Sequence, residues 1–413
     1  MKHSSTINHT LQLENTTRRQ AMTETRRGAF PRLDAHGIEP VGIERVEAFV
    51  FRAPIATPVR TSFGTMTDRP AVFVRITDSA GVEGYGEVWC NFPSVGAEHR
   101  ARLVESVFRP MLVEHPVVHP ADTFHMLTQR TEVLALQSGE AGPFAQAIAG
   151  IDLALWDLWA RKARLPLWRL LGGASGEIGV YASGLNPVGA EALVREKAAE
   201  GYRSFKLKVG FGRECDLGNL TRLREIIGDE CTLQADANQA WDMQTAIGMA
   251  RDFAAFDLGW LEEPLRCNRP VAEWRALIEQ SPVPIAGGEN LAEARSFATY
   301  IEQRAYDVVQ PDVAKWGGIS GCWPVIQATR AAGLRYCPHY LGGGVGLLAS
   351  GHLLAAAGGD GMLEVDANPN PLRTLLSGAI AAPKDGRVSL GDAPGIGIVP
   401  PLDTLQERIG QAS

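Results

Sequence analysis

The sequence predicts a (β/α) barrel, and three observations carry that expectation. Lys208, Asp236, Glu262, Glu289, Asp312 and His339 recur at gaps of 28, 26, 27, 23 and 27 residues. The strand, loop and helix of one βα unit take up about that much chain. Each of the six also closes a short apolar run, as in Phe205-Lys206-Leu207-Lys208 and Val308-Val309-Gln310-Pro311-Asp312. The closing residue is ionisable every time. That puts a ring of charge at the C-terminal ends of the strands, the mouth where barrel enzymes keep their chemistry.

The elements follow in order. Residues 1–40 are polar, with Arg18-Arg19 and Arg26-Arg27, no apolar periodicity and no signal-peptide core. A disordered tail or an over-long start is expected there, with Met22 as an alternative start. Three strands are expected at 46–52, 71–77 and 82–88, the last two joined by a turn at Asp78-Ser79-Ala80-Gly81. Helical spacing of apolar residues then runs over 97–113, 120–134 and 142–163. Barrel strands are expected near 178–183, 204–209, 231–236, 258–262, 284–289, 307–311, 334–339 and 361–365.

The strand ends carry two kinds of chemistry. Asp236, Glu262 and Glu289 supply three carboxylates with no His or Cys at matching positions. Such a set favours a hard cation, and Mg²⁺ suits it because it takes a few carboxylates and completes its octahedron with water or substrate oxygen. One such residue alone reads as a surface carboxylate; three at successive strand ends do not. Lys206 and Lys208 are two apart, so they share a strand face. Two ammonium groups beside a dication cannot both stay charged cheaply, so one lysine should have a lowered pKa and act as a base. The bland alternative is a lysine-rich edge strand in solvent. Across the barrel, Asp312 beside His339 would fix the imidazole tautomer and support its protonated form.

Composition agrees with this picture. At 413 residues the chain is long enough for two or three domains, and 45% hydrophobic with 21% charged residues is ordinary for a globular protein. A net charge of −7 argues against nucleic acid or an anionic membrane as partner. No run of 18 apolar residues is present. The six cysteines lack Cys-x-x-Cys spacing and read as buried thiols in a reducing cytoplasm.

Taken together, Lys206-x-Lys208, Asp236-x-Asn238, Glu262-Glu263-Pro264, Gly287-Gly288-Glu289-Asn290, Gln310-Pro311-Asp312 before Lys315-Trp316-Gly317-Gly318-Ile319, and Pro338-His339 resemble the enolase superfamily, mandelate racemase subgroup. The Ala149–Leu158 helix sequence and Pro394-Gly395-Ile396-Gly397-Ile398 add to that resemblance. The muconate-lactonizing branch usually has Asp as third ligand and Lys as opposite base, where this chain has Glu289 and the Asp312–His339 pair. The resemblance implies a (β/α)7β barrel over 166–366, an N-terminal α+β capping domain over 41–165, and a C-terminal segment, 367–413, that returns to the cap.

It also implies further site residues. Glu364 would stay protonated and donate to a substrate carboxylate, with a plain loop carboxylate as the alternative. The stretch 57–66 falls where the superfamily has a mobile lid, with Gly64 as hinge and Arg60 facing an anionic substrate. Asn91 and His99 would face the pocket; for these and Arg60 a solvated loop position is the alternative. Gly342-Gly343-Gly344-Val345-Gly346 lacks the Gly-Lys-Ser/Thr ending of a phosphate loop and reads as a tight turn near the substrate. The implied activity is Mg²⁺-dependent removal of an α proton from a hydroxylated carboxylic acid. Motifs around Pro338–Val345, Leu363–Asp366 and Asn370–Arg373 resemble sugar-acid dehydratases and aldarate-lactone cycloisomerases more than mandelate racemase. A 2-hydroxy-acid racemase is the second expectation, a silent binding protein the third. The partner is a small acid or lactone, and an assembly of identical subunits is expected.

Overall fold

A computed structural model describes residues 30–31, 37–60 and 64–412, without the side chains of Thr57, Arg60, Gln411 and Ala412. Most of the expected N-terminal extension therefore lies outside the described residues. So do residues 61–63 of the lid stretch and the side chain of Arg60. Phe30 is described, and its ring packs 4.9 Å from Trp156.

The N-terminal layer is an antiparallel sheet of β1 (Ile43–Arg60), β2 (Thr65–Asp78) and β3 (Glu83–Val88), in that order. The Asp78 carboxylate closes the β2–β3 turn by accepting from Ala80 N and Val82 N. The expected loop at 57–66 is largely strand instead: Val59 pairs with Met66 and Arg60 with Thr65 beyond an irregularity after Pro54. Ile55, Thr57, Val59 and Thr65 are β-branched, and such side chains favour the extended chain.

Helices cover the sheet. α1 (Gly96–Leu103) passes through a π turn at Val104–Phe108 into α2 (Arg109–Val113). Pro110 has no N–H to give, which interrupts the regular ladder there. α3 (Pro120–Ser138) and α4 (Ala141–Lys162) follow. α4 lies directly on β3, because a Cβ on Gly86 would sit 2.0 Å from the Gly150 carbonyl. α5 (Leu167–Leu170) leads into the barrel.

The barrel alternates β4 (Glu177–Leu185), α6 (Ala190–Ala199), β5 (Ser204–Lys208), α7 (Arg213–Ile227), β6 (Thr232–Asp236), α8 (Met243–Phe253), β7 (Leu258–Glu262), α9 (Val271–Ile278), β8 (Ile285–Gly287), α10 (Ala294–Glu302), β9 (Val308–Val309), α11 (Gly318–Ala331), β10 (Arg335–Tyr336), α12 (Gly344–Ala357) and β11 (Met362–Asp366). Its eight parallel strands run β10-β9-β8-β7-β6-β5-β4-β11. At the β10–β11 seam, Met362 N donates to Cys337 Sγ at 3.5 Å. Tyr181, Trp260, Ala286, Val308 and Cys337 fill the interior as a buried cluster. β8, β9 and β10 are shorter than expected. Gly288 turns at φ +128°, and Pro311 and Pro338 cannot donate to a ladder.

After the barrel come α13 (Pro371–Thr374), β12 (Arg387–Ser389) and α14 (Leu405–Ala412). The short β12 was not expected; it pairs antiparallel with β4. The tail also reaches the N-terminal layer, where Ile396 N donates to Asp157 of α4 and Arg75 of β2 meets Asp403 at 2.8 Å. Among the described residues, no helix is long and apolar enough to cross a membrane. All six thiols are free, but the expectation that all are buried holds only for Cys90, Cys322 and Cys337: Cys215 is exposed on α7, and Cys231 and Cys267 are half-buried.

Candidate active site

Eight of the expected side chains converge at the C-terminal mouth. Each lies at or within three residues of the end of its strand, a consequence of the βα repeat. Lys206 is fully buried; its Nζ lies 2.6 Å from Glu262, 2.8 Å from Glu364 and 3.8 Å from Asp236. Lys208 Nζ lies 2.5 Å from Asp236 Oδ2. Glu289 Oε2 lies 2.8 Å from His339 Nε2, and Asp312 Oδ2 lies 2.7 Å from His339 Nδ1. Glu364 accepts from Ser183 Oγ and from Tyr340 N, and stands 3.8 Å from His339 Nε2.

The side chains' own charges set the protonation of the cluster. Among themselves they leave neither lysine with a lowered pKa; the lowered value was expected beside a dication. Burial opposes both charges, but Glu262 and Glu364 hold Lys206 well above the ordinary lysine value, and Asp236 holds Lys208 above it. Glu364 is not kept neutral either. Burial pushes its carboxyl up, yet Lys206 and His339 bring it below the usual range, so it accepts hydrogen bonds instead of donating one. His339 is held protonated, well above the ordinary imidazole value: burial resists, while Glu289, Glu364 and Asp312 prevail.

Three expected pocket residues fare differently. Asn91 is buried and donates 2.7 Å to the Leu341 carbonyl, so it holds the loop after His339. His99 is not brought to the cluster; from α1 it pairs with Glu140 at 3.0 Å on the cap. Its helix turns the ring toward the start of α4. The Arg60 side chain lies outside the described residues.

The glycine run after His339 is tightly packed. Its close approach is to the protein itself: a Cβ on Gly343 would meet Glu87 Oε1 at 2.8 Å, and one on Gly344 would meet the Leu376 backbone at 2.3 Å.

Other residues of the site were given no role from the sequence, although Asn238, Glu263, Asn290, Gln310 and Lys315 stand in the motifs that carry the resemblance. Gln310 Nε2 and Trp260 Nε1 donate 2.7 and 3.0 Å to Glu262 Oε2. Asn290 bridges Glu289 and Glu263, and Lys315 Nζ donates 2.7 Å to Asn290 and sits 3.4 Å from Glu289. Asn238 and Asn290 also follow their carboxylates closely in sequence, a second signal that could have found them.

The donor set suits a divalent cation. Asp236, Glu262 and Glu289 come from three adjacent strands, β6, β7 and β8. Five carboxylates (Asp236, Glu262, Glu289, Asp312 and Glu364) face Lys206, Lys208, Lys315 and His339, a surplus of negative charge. Burial drives Glu262 up to about 7, against the pull of Lys206 and with the push of Asp236. Among the described residues no three such side chains already converge on one point. Instead, Lys208 and His339 supply the positive charge between them.

Comparison with known proteins agrees with this fold. A family model described as enolase C-terminal domain-like matches residues 189–404. The mandelate racemase / muconate lactonizing enzyme N-terminal domain matches residues 45–172. A 3,6-anhydro-alpha-L-galactonate cycloisomerase from Streptomyces coelicolor is 33% identical over 89% of this chain and 99% of its own. A mandelate racemase/muconate lactonizing enzyme structure from Bordetella bronchiseptica RB50 superposes with TM-score 0.85 at 54% identity, covering 89% of this chain and 99% of that one. A racemase from Streptomyces coelicolor A3(2) with bound magnesium superposes with TM-score 0.77 at 30% identity, over 89% and 99% of the two chains. Other relatives carry the names of dehydratases and epimerases.

Proposed function

The chain belongs to the mandelate racemase/muconate lactonizing enzyme family of the enolase superfamily, and we propose that it uses Mg²⁺ to eliminate across a sugar acid or its lactone. Proton abstraction is the chemistry of that superfamily. One observation carries the assignment of roles here. The strands bearing Asp236, Glu262 and Glu289 lie between the strand bearing Lys208 and the strand bearing His339. A proton-transfer group therefore stands on each flank of the carboxylate set.

Held by the three carboxylates, Mg²⁺ would supply positive charge against the negative charge that develops on a substrate carboxylate as its α proton leaves. Lys206, locked between Glu262 and Glu364, adds fixed positive charge from beneath. A cation held by these carboxylates would compete for Asp236 and Glu289, the charges that hold Lys208 and His339 protonated, and would so let Lys208 stand as a base. Asp312 holds His339 Nδ1, which leaves Nε2 as the working atom. Lys208 takes the α proton, and His339 Nε2 protonates the departing β oxygen. A leaving hydroxyl makes this dehydration; a leaving ring oxygen makes it ring opening. The full-length similarity to a sugar-acid cycloisomerase supports elimination.

The same pair of groups also supports a second reading, racemisation, in which His339 returns a proton to the opposite face of the α carbon. The product separates the two. A panel of aldonic and aldaric acids and their lactones should yield a 2-keto acid, seen as semicarbazone absorbance and by NMR. If optical rotation of a 2-hydroxy acid decays instead, with no keto product and inert sugar acids, racemisation replaces elimination.

A further inference from the structure

Glu87 is a fully buried carboxylate that the expected chemistry does not use. It sits on β3, in the N-terminal sheet, at 2% exposure. Its two oxygens point out of that sheet into the barrel. Oε1 accepts from Gly343 N at 2.5 Å, and Oε2 accepts from Gly346 N at 2.9 Å. These N–H groups belong to the start of α12 and have no partner within their own helix. Glu87 thus caps a barrel helix from another domain; burial pushes its carboxyl up to about 7, while the two helix N–H groups and Tyr340 pull it down.

The location of that cap matters more than its strength. The chain from His339 to Gly343 is five residues long, and the bonds that hold Tyr340, Leu341, Gly342 and Gly343 run to different elements. Tyr340 N donates to Glu364 at 3.1 Å; Asn91 Nδ2 donates to the Leu341 carbonyl at 2.7 Å; Asn370 Nδ2 donates to the Gly342 carbonyl at 2.9 Å. Glu87 closes the segment at Gly343. The same stretch of the cap holds the partner of His339. Trp89 N donates to the Ala314 carbonyl at 3.3 Å, and Ala314 N donates to Asp312 Oδ1 at 2.9 Å. Lys315 Nζ rests over the Trp89 ring at 5.2 Å. Residues 87–91 therefore touch both loops of the Asp312–His339 pair. No hydrogen bond or ion pair is described between them and Lys208, whose Nζ binds Asp236 inside the barrel.

We propose that Glu87 is a positioning residue for His339, setting where its imidazole stands at the mouth, and that residues 87–91 place one proton-transfer group and not the other. This rests on the two-flank reading above. A shift of about 1 Å in a reacting group can cost on the order of a hundredfold in rate, so losing this clamp should be felt on one face of the α carbon.

The test is α-hydrogen exchange in D₂O with Mg²⁺, read by NMR on 2R and 2S members of an aldonic and aldaric acid panel. Glu87→Gln keeps one acceptor oxygen and turns the other end into a donor facing an N–H. It should lower exchange on the His339 face by roughly tenfold to a hundredfold. Exchange on the Lys208 face should stay within about threefold, with the circular dichroism of wild type. Equal loss on both faces, or no loss, overturns the positioning role. Should Glu87→Gln fail to fold, Asn91→Ala is read in the same way, since it removes the neighbouring bond to Leu341. A face-selective loss there supports the role of 87–91, and an even loss refutes it. His339→Asn is the control for the underlying reading. If it keeps exchange on both faces, the two-flank assignment fails and the positioning role falls with it.

Discussion

Lys208 and His339 carry the clearest residue-scale predictions. Lys208→Ala and His339→Asn should each abolish α-hydrogen exchange on one face only, with turnover down by about 10² to 10⁴. Two variants with wild-type exchange would dismiss the assignment. Removal of divalent cations by EDTA should stop turnover and Mg²⁺ should restore it; full activity in metal-free protein would show that Asp236, Glu262 and Glu289 do not hold an essential ion. These residues were legible because each ends an apolar run at a constant interval. Their charge states were not. Whether Lys206 is charged depends on Glu262 at 2.6 Å and Glu364 at 2.8 Å, residues 56 and 158 positions away. Gln310 stood in a motif and Ser183 did not, yet the bonds of both went unforeseen for a related reason: a polar residue inside a strand gives no sign of which carboxylate it will meet.

At the scale of elements, Asp152 offers the sharpest test. From the middle of α4 it caps α11 of the barrel: Oδ2 accepts from Ile319 N at 2.7 Å and Ser320 N at 2.9 Å, and Oδ1 accepts from Ser320 Oγ at 2.6 Å. Asp152→Ala leaves those buried donors without an acceptor and should cost roughly 3 kcal/mol, read as a lower urea midpoint. Asp152→Asn keeps an acceptor and should lose less. Equal midpoints for wild type and Asp152→Ala would show that α11 does not need the cap. The helices and strands themselves were largely legible, since apolar periodicity reports which face is buried. The pairing of 59–60 with 65–66 was not, because turn-like residues in that stretch masked a β-branched alternation. β12 was missed because three residues give too little pattern.

For the whole molecule, His352 ties the barrel to the segment that leads into it. It lies on α12, fully buried, and its Nδ1 accepts from Trp168 N of α5 at 3.1 Å. Burial is the dominant cause that lowers its pKa to about 4. The unfolded chain binds the proton more tightly, so the sign is fixed. The stability it contributes is complete above about pH 6.5 and drains away as pH falls toward 4, on the order of 3 kcal/mol in all. Urea titrations at pH 7 and pH 4.5 should show this loss in wild type and a smaller one in His352→Gln; parallel losses would rule the histidine out as the cause. The architecture was legible from the βα interval, and the way its parts are fastened was not. Asp157, Asp152 and Glu87 read in the sequence as ordinary helix and strand residues, and only the folded chain shows what each one grips.

One of those fastenings bears on how the protein is made. A ribosome delivers the chain N-terminus first, so β3 and α4 exist long before the tail. Asp157 then holds Tyr85 N and Arg161 while one of its oxygens waits for Ile396 N, 239 residues further on. β4, the first strand of the barrel, waits similarly for β12. Synthesis thus completes the mouth of the barrel before it secures the roof. A message cut short just after Glu364 would encode every side chain of that mouth and leave the layer above it without its bonds to the tail.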